Sequence, residues 1–408
     1  MDEFFLMNSF DLAGKTVYLR VDINAPVNPL TGEIMGIDRF RAHIDTIRNL
    51  RNSKVVIVAH QSRPGKDDFI SLRQHAQILS HLLNKRVQFV DQLFGSQVNR
   101  AVSEMSDGDI VMLENSRFYS EEVDLTTIES MESSNIVRSL SPLFDYFIID
   151  AFAAIHRAQT TLVGFHRIKP NIAGTLIERE VSMIERFRKI REKPKIAILG
   201  GAKIEDSIAV SENFLSRGFV DKILTGGVVA NAFLWASGFD IGKKNREFIM
   251  KNNGDYEKLL DKCRAILSKY GDKLVMPTDF VMNPSGQRIS INEKIPDDQI
   301  LADIGLDTIV EYSEIIDGAR AIFMNGPMGM YEIEDYSSGT REVFTAVAHS
   351  KAFKLAGGGH TLSALDKLGL TKMIDHASTG GGALISYLSG ETMPVLEALK
   401  ESKKLFEG

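Results

Sequence analysis

The chain has 408 residues, 44% hydrophobic and 25% charged, with 48 basic and 54 acidic side chains and a net charge of −6. That length fits two or three domains with full-sized cores. The acidic balance argues against a broad basic face for nucleic acid, though not against a local cluster of arginines. A single cysteine, Cys263, excludes an internal disulfide and a thiolate metal cage, and fits a reducing compartment. The first residues, MDEFFLMNSFDLAG, carry acids where a signal peptide carries Lys or Arg, and no apolar run reaches the length of a membrane span. The expectation is a soluble cytoplasmic protein that binds neither membrane nor nucleic acid.

In chain order, the pattern predicts a strand at 16–21, a helix at 38–50, a strand at 54–60 and a helix at 71–83 with Ser71 as its N-cap. A strand at 87–90, a helical period at 92–105, and strands at 109–113 and 146–149 follow. A long charged amphipathic helix covers 177–192 and ends before Pro194. The alternation then restarts with strands at 195–199, 222–224, 274–277, 321–324 and 353–356, and helices at 205–217 and 228–237. Most of these strands are apolar on both faces, which is the mark of a parallel sheet covered on both sides. The fold class is therefore α/β, with two Rossmann-like lobes joined by one helix. The expected division is 1–175 as the first lobe, 176–193 as the connecting helix, 194–392 as the second lobe, and 393–408 as a C-terminal segment.

The first lobe's strands end in polar and cationic residues. In the stretch YLRVDINAPV, at 18–27, Arg20, Asp22 and Asn24 alternate, so an extended chain carries them on one face until Pro26 ends the strand. Two readings are open for that stretch: a ligand wall at a strand end, or a buried Arg20–Asp22 ion pair with Asn24 capping a turn. His60 and Arg63, Arg117, and His156-Arg157 follow three other strands, and Arg39 opens a helix after Gly36. In a parallel sheet these ends share one edge, where Arg forks suit a small phosphate- or carboxylate-bearing ligand.

The second lobe's strands run into glycine instead: Gly200-Gly201-Ala202-Lys203, Gly226-Gly227, Asn325-Gly326-Pro327, Gly357-Gly358-Gly359-His360-Thr361 and Gly380-Gly381-Gly382. Glycine lets backbone approach a ligand closely, and a helix N-terminus offers free N–H groups to phosphate. Neither a Walker A sequence nor G-x-G-x-x-G occurs, which excludes a P-loop NTPase and a standard dinucleotide-binding protein. One half fits a small anion and the other a polyphosphate, and that pairing suits phosphoryl transfer.

These blocks resemble phosphoglycerate kinases along nearly the whole chain: LRVDINAP (19–26), HQSRP (60–64), LENSRF (113–118), DAFAAIHRA (150–158), LGGAK (199–203), NGPMG (325–329), GGGHT (357–361) and STGGG (378–382). The resemblance implies two lobes around an interdomain cleft and reversible transfer between 1,3-bisphosphoglycerate and ADP, giving 3-phosphoglycerate and ATP, in glycolysis and gluconeogenesis. By matching position, Asp22, Asn24, His60, Arg63, Arg117 and Arg157 bind the phosphoglycerate. Arg39, Lys203 and Gly381 serve the transferring group. Gly201, Ala202, Lys203, Asn325, Pro327, Glu332, Gly358, Gly359, His360 and Thr361 bind the nucleotide, with Glu332 at the ribose. The resemblance also implies Mg²⁺ carried mainly by the nucleotide with no protein metal site, a monomer or homodimer, and a tail that packs back on the first lobe. The alternative on the same fold is a degenerate nucleotide-binding regulatory protein.

Two positions depart from the family pattern. Ser207 stands where a second Lys is usual, and His360 where an Asp helps hold Mg²⁺; both resemble the archaeal branch of the family. Of the remaining residues, Phe233, Leu234 and Trp235 are expected either in the core or as a wall beside the adenine. His43, His75 and His81 are expected at the surface or in packing, and Cys263 in the core. Arg20 is expected to brace Asp22.

Overall fold

The computed structural model describes residues 3–407. The chain divides into two compact units, one running to Ser182 and taking in the chain again from Gly390, the other Met183–Ser389. The division falls inside one continuous helix, Thr175–Lys189.

In the first unit seven strands form one parallel sheet, in the spatial order Phe5–Leu6, Asn171–Ala173, Tyr146–Ile149, Thr16–Arg20, Lys54–Val58, Ile110–Met112 and Val87–Phe89. The strand Thr16–Arg20 is central and buried on both faces. Val17 and Leu19 pack with Phe40, Ile47 and Leu79 from the helices on one side. Tyr18 faces the other, within an aromatic cluster of Phe144, Phe147 and Phe165 whose ring centroids lie 5.1–5.6 Å from its own. Each such buried side chain contributes about 2–3 kcal/mol. The chain proceeds from this strand to one side of the sheet and returns to its other side with Tyr146–Ile149. The carboxyl ends of those two strands therefore flank the switch point, where open α/β sheets hold ligands.

The second unit repeats the scheme with six parallel strands: Leu274–Val275, Lys222–Thr225, Lys195–Leu199, Ala321–Asn325, Phe353–Gly357 and His376–Ala377. Its switch point lies between Lys195–Leu199 and Ala321–Asn325. A three-stranded antiparallel sheet, Arg288–Ser290, Asp279–Asn283 and Ile300–Ile304, is an addition that the strand–helix alternation does not predict.

Several boundaries differ from expectation for identifiable reasons. The helix expected over 38–50 is two helices, Asp38–Ala42 and Ile44–Asn49. His43 breaks them apart, because its ring is buried against Asp150 and the Asp22 backbone. The helix expected from 92 begins only at Ser96, after Gly95 at φ 115°. Leu72, not Ser71, is the N-cap of Arg73–Leu83, although the Ser71 hydroxyl accepts from the Arg73 N–H at 3.3 Å. The C-terminal helix Pro394–Phe406 lies with the first unit: Ser402 Oγ accepts from Asn171 N at 2.9 Å, and Glu401 meets His166 at 3.1 Å and Arg167 at 2.8 Å. Among the described residues no helix is long and apolar enough to cross a membrane.

Candidate functional site

The strand Thr16–Arg20 stops where its backbone pairing stops, and the polar trio divides there. Arg20 shares its face with Tyr18, and both are anchored to Thr161: Tyr18 donates to the Thr161 carbonyl and Arg20 Nε to Thr161 Oγ1, each at 2.8 Å. The Arg20 guanidinium also donates to His60 Nδ1 at 3.0 Å and lies 3.7 Å from Glu122. Arg20 therefore braces His60 and Thr161 rather than Asp22, and its buried counter-charge is Glu122. The partner of Asp22 is Arg39, at 3.0 Å.

Beyond the strand, Asp22 and Asn24 form a tight turn in which Asp22 Oδ1 accepts from Asn24 N at 3.1 Å. Asn24 Oδ1 accepts from Ser62 N at 3.0 Å, which leaves its amide nitrogen for a ligand. Gln61 holds the same loop through both backbone groups of Ala25, at 3.0 and 2.9 Å. Ser62 has φ 54°, and its carbonyl accepts from Arg117 Nη1. Asn24, Ser62 and Arg117, which follow three different strands, are thus tied together at one turn.

The electrostatics of the cluster follow from this crowding. Burial alone would raise the Asp22 carboxyl, but the Arg39 guanidinium, the Asn24 N–H and the Arg20 charge hold it well below the usual carboxylate range. Burial pushes His60 well below the usual imidazole range, and Arg20, Arg117 and Arg157 push the same way against Asp22. Burial, then Arg157 and Arg20, bring Arg117 down to about 10; burial and neighbouring arginines, opposed by Asp22, lower Arg157. His60 is therefore neutral. Because Nδ1 accepts from Arg20, Nε2 carries the ring proton. Arg157 Nη1 lies 3.5 Å from that Nε2. These two N–H donors side by side, among arginines that disfavour each other's charge, are an arrangement that can hold an anion. Arg63 is the exception: it is exposed and makes no side-chain contact with this cluster.

At the second unit's switch point, Gly200–Lys203, Asn325–Pro327, Gly358–Thr361 and Gly381-Gly382 line one pocket of about 150 Å³. Lys203 is the N-cap residue of the helix Ile204–Ser216, exposed and without a side-chain partner. Gly358 has φ 87° and caps the helix Gly359–Lys367; an added Cβ would collide with Asn325 Oδ1. Gly381 adopts φ 51°. Thr361 is buried, and its Oγ1 accepts from Gly326 N at 2.6 Å, so its hydroxyl shapes the loop. Ser207 is buried in the same lining.

Gly201, Ala202, Pro327, Glu332 and His360 also border an adjoining apolar cavity of about 460 Å³. His360 Nδ1 lies 3.6 Å from Glu332 Oε1, so two residues expected at the nucleotide meet each other. Trp235 is not part of this cavity. It stacks on Tyr256 at 5.8 Å, and the aromatic wall is Phe248. Sequence patterning missed Phe248, Leu301 and Met330 there, and His43, Gln61, Glu122, Asp150 and Thr161 in the first unit. His43 and His75 are buried, His81 is exposed, and Cys263 is buried with its thiol pushed up to about 12.

The phosphoglycerate kinase family model matches residues 7–391. A phosphoglycerate kinase of Thermoplasma volcanium is 79% identical over 407 residues, covering 100% of both chains. One of Methanothermus fervidus is 45% identical, covering 99% of this chain and 98% of the relative. The crystal structure of phosphoglycerate kinase from Pyrococcus horikoshii superposes with a TM-score of 0.91 at 42% identity, over 98% of this chain and 100% of that one. The enzyme from Coxiella burnetii gives 0.79 at 30% identity, over 98% and 99%. Two parallel sheets with an arginine cluster at one switch point and glycine-turned helix starts at the other, matched end to end by these relatives, place the chain in the phosphoglycerate kinase family.

Proposed function

We propose that the two sites divide one reaction between them. The chain is a phosphotransferase with a carboxyl acceptor: it moves a phosphoryl group reversibly between 1,3-bisphosphoglycerate and ADP, giving 3-phosphoglycerate and ATP. The first unit takes the phosphoglycerate. His60 Nε2–H, Arg117 and Arg157 receive its non-transferred phosphate, with Arg63 joining from the exposed turn. Asp22 and the Asn24 amide nitrogen receive the glycerate end. Arg39, oriented by Asp22, reaches the transferring group.

The second unit takes the nucleotide, with its phosphates at Gly201–Lys203, Asn325, Pro327 and Gly358–Thr361, and its ribose at Glu332. Lys203 accompanies the moving charge, and the Gly381 N–H adds a donor. The nucleophile toward ATP is the substrate's own carboxylate, so no protein base and no covalent intermediate is required. Transfer in line, with water excluded from the reacting groups, is part of this reading.

Mg²⁺ fits this pocket as an ion carried mainly by the nucleotide. The pocket's one carboxylate is Asp206, and its other side-chain oxygens belong to Asn325, Ser207 and Thr361. Among the described residues no cluster of three potential metal ligands occurs. Mg²⁺ keeps waters and takes one or two carboxylates plus phosphate oxygens. Asp206 is the residue that would hold it, and the His360 nitrogen is a poor partner. When bound, the ion neutralises charge on the nucleotide phosphates. The reading carries a cytoplasmic location and a monomer or homodimer.

The observation that carries the proposal is Lys203, an unpaired cation at a helix start on the switch point of the second sheet. Lys203→Ala and Arg39→Ala should each lower kcat by two orders of magnitude or more, with modest change in substrate binding, on the scale of about 3 kcal/mol per transition-state contact. Full turnover by either variant in a coupled assay would refute the assigned roles. His360→Asp should still turn over with Mg²⁺; complete inactivation would show that the imidazole has a role of its own.

A further inference from the structure

Behind the arginine cluster lies a second layer of polar side chains. Arg20, Ser116, Glu122 and Thr161 are all fully buried. Glu122 closes the short helix Ser120–Glu122, and Thr161 lies in Thr160–Val163. Neutral donors fill the Glu122 carboxylate: Oε1 accepts from Thr161 Oγ1 at 2.7 Å and from Ser116 Oγ at 3.1 Å, and Oε2 accepts from Thr161 N at 2.9 Å. The Arg20 guanidinium stands 3.7 Å from Oε1, near enough to balance its charge but too far to bond to it.

A carboxylate only accepts and a guanidinium only donates, so the direction of every link here is fixed. Thr161 gives its hydroxyl proton to Glu122, and its oxygen accepts from Arg20 Nε at 2.8 Å. Arg20 Nη1 donates to the Val21 carbonyl, and Nη2 donates to His60 Nδ1 at 3.0 Å. The His60 ring then holds its proton on Nε2, which cannot accept from Arg157 Nη1, 3.5 Å away. Arg157 is half-exposed and keeps that N–H for another acceptor.

We infer that Thr161 and Glu122 are positioning residues for phosphoglycerate binding: the Thr161 hydroxyl keeps Arg20 from closing on Glu122, so Arg20 stays on His60 Nδ1 and the Arg157 N–H stays available to the anion. The inference rests on the reading of this cluster as the phosphoglycerate site. Arg20 Nη2 is the nitrogen that lies near both His60 Nδ1 and Glu122 Oε1. Without the Thr161 hydroxyl, Arg20 Nε loses its acceptor and Glu122 Oε1 loses its shortest donor. A direct Arg20–Glu122 bond then wins, because a charge-assisted hydrogen bond is roughly twice as strong as a neutral one. His60 Nδ1 is released to take the ring proton, Nε2 becomes an acceptor for Arg157, and that N–H is lost to the ligand.

The test begins with the nitrogen NMR spectrum of the histidine side chains in the intact protein at neutral pH, with the His60 signals identified by their loss in His60→Gln. Wild type should show a bare Nδ1 and a protonated Nε2. Thr161→Val, close in size, should move the proton to Nδ1 in part or in full, and Thr161→Ser should restore the wild-type pattern. Thr161→Ala makes the same comparison should the valine variant not fold. In calorimetric titration, 3-phosphoglycerate should bind roughly tenfold or more weakly to the variant lacking the hydroxyl and recover in Thr161→Ser. ADP binding should be unchanged in all of them, which separates positioning from a general loss of structure. A proton on His60 Nδ1 in wild type overturns the inference. So does an unchanged tautomer, or unchanged 3-phosphoglycerate affinity, in a folded variant lacking the hydroxyl. The tautomer shift and the weakened affinity, in a protein whose wild type transfers no phosphoryl group, would uphold the inference and refute the reaction.

Discussion

Among the residues, His75 shows how burial sets a pH dependence. Its Nε2 donates to Gln61 Oε1 at 3.1 Å, its Nδ1 is buried without a partner, and burial brings the ring down to about 4 from its usual 6.5. A histidine lowered in the fold stabilises it in full above the unfolded value and loses that contribution as pH falls through 6.5 toward 4. The loss amounts to about 3 kcal/mol. His60 acts with the same sign. In urea titrations, wild type should weaken between pH 7 and pH 4.5, and the gap between it and His75→Leu should narrow over that range. Parallel profiles would contradict this. Residue types at strand ends were readable from sequence, because Arg and Gly after apolar strands have few structural reasons to recur. Their partners were not. Arg20 was expected beside Asp22, two residues on, and instead meets Glu122 and Thr161 from distant segments. Periodicity places a side chain on a face but cannot say which loop crosses it.

At the level of elements, the first unit ties its ligand loop to the start of the connecting helix. Asp150 Oδ1 accepts from Leu176 N at 2.8 Å, in the first turn of Thr175–Lys189. Its Oδ2 lies 2.8 Å from His43 Nδ1, and His43 Nε2 lies 3.1 Å from both the N–H and the carbonyl of Asp22. Gly174 permits this approach, since an added Cβ would collide with the Asp150 carboxylate. His43→Leu leaves that carboxylate without its histidine partner. It should cost about 3 kcal/mol in denaturation and raise KM for 3-phosphoglycerate while KM for ATP is unchanged. Equal KM values for both substrates in variant and wild type would show that His43 serves packing alone. The parallel sheets were legible because strands such as Thr16–Arg20 are apolar on both faces. The antiparallel sheet was not, because Asp279–Asn283, Arg288–Ser290 and Ile300–Ile304 follow one another with no helix between them, outside the strand–helix rhythm. Leu301 went unassigned with it, and Phe248 with the helix Lys243–Asn252.

For the molecule as a whole, a net charge of −6 coexists with an arginine cluster, so attraction of an anionic substrate is a local property. KM for 3-phosphoglycerate should therefore rise with ionic strength as the screening length shrinks to about 3 Å near 1 M salt. A flat dependence would remove the cluster from substrate capture. In the proposed reaction one chain joins an arginine site and a glycine-lined phosphate site in a single transfer. Its most direct test is a coupled assay of the purified protein with ATP, 3-phosphoglycerate and Mg²⁺, omitting each in turn. ADP release is expected only when all three are present, and is abolished in Lys203→Ala. Turnover without 3-phosphoglycerate, or none with the full mixture, would contradict it.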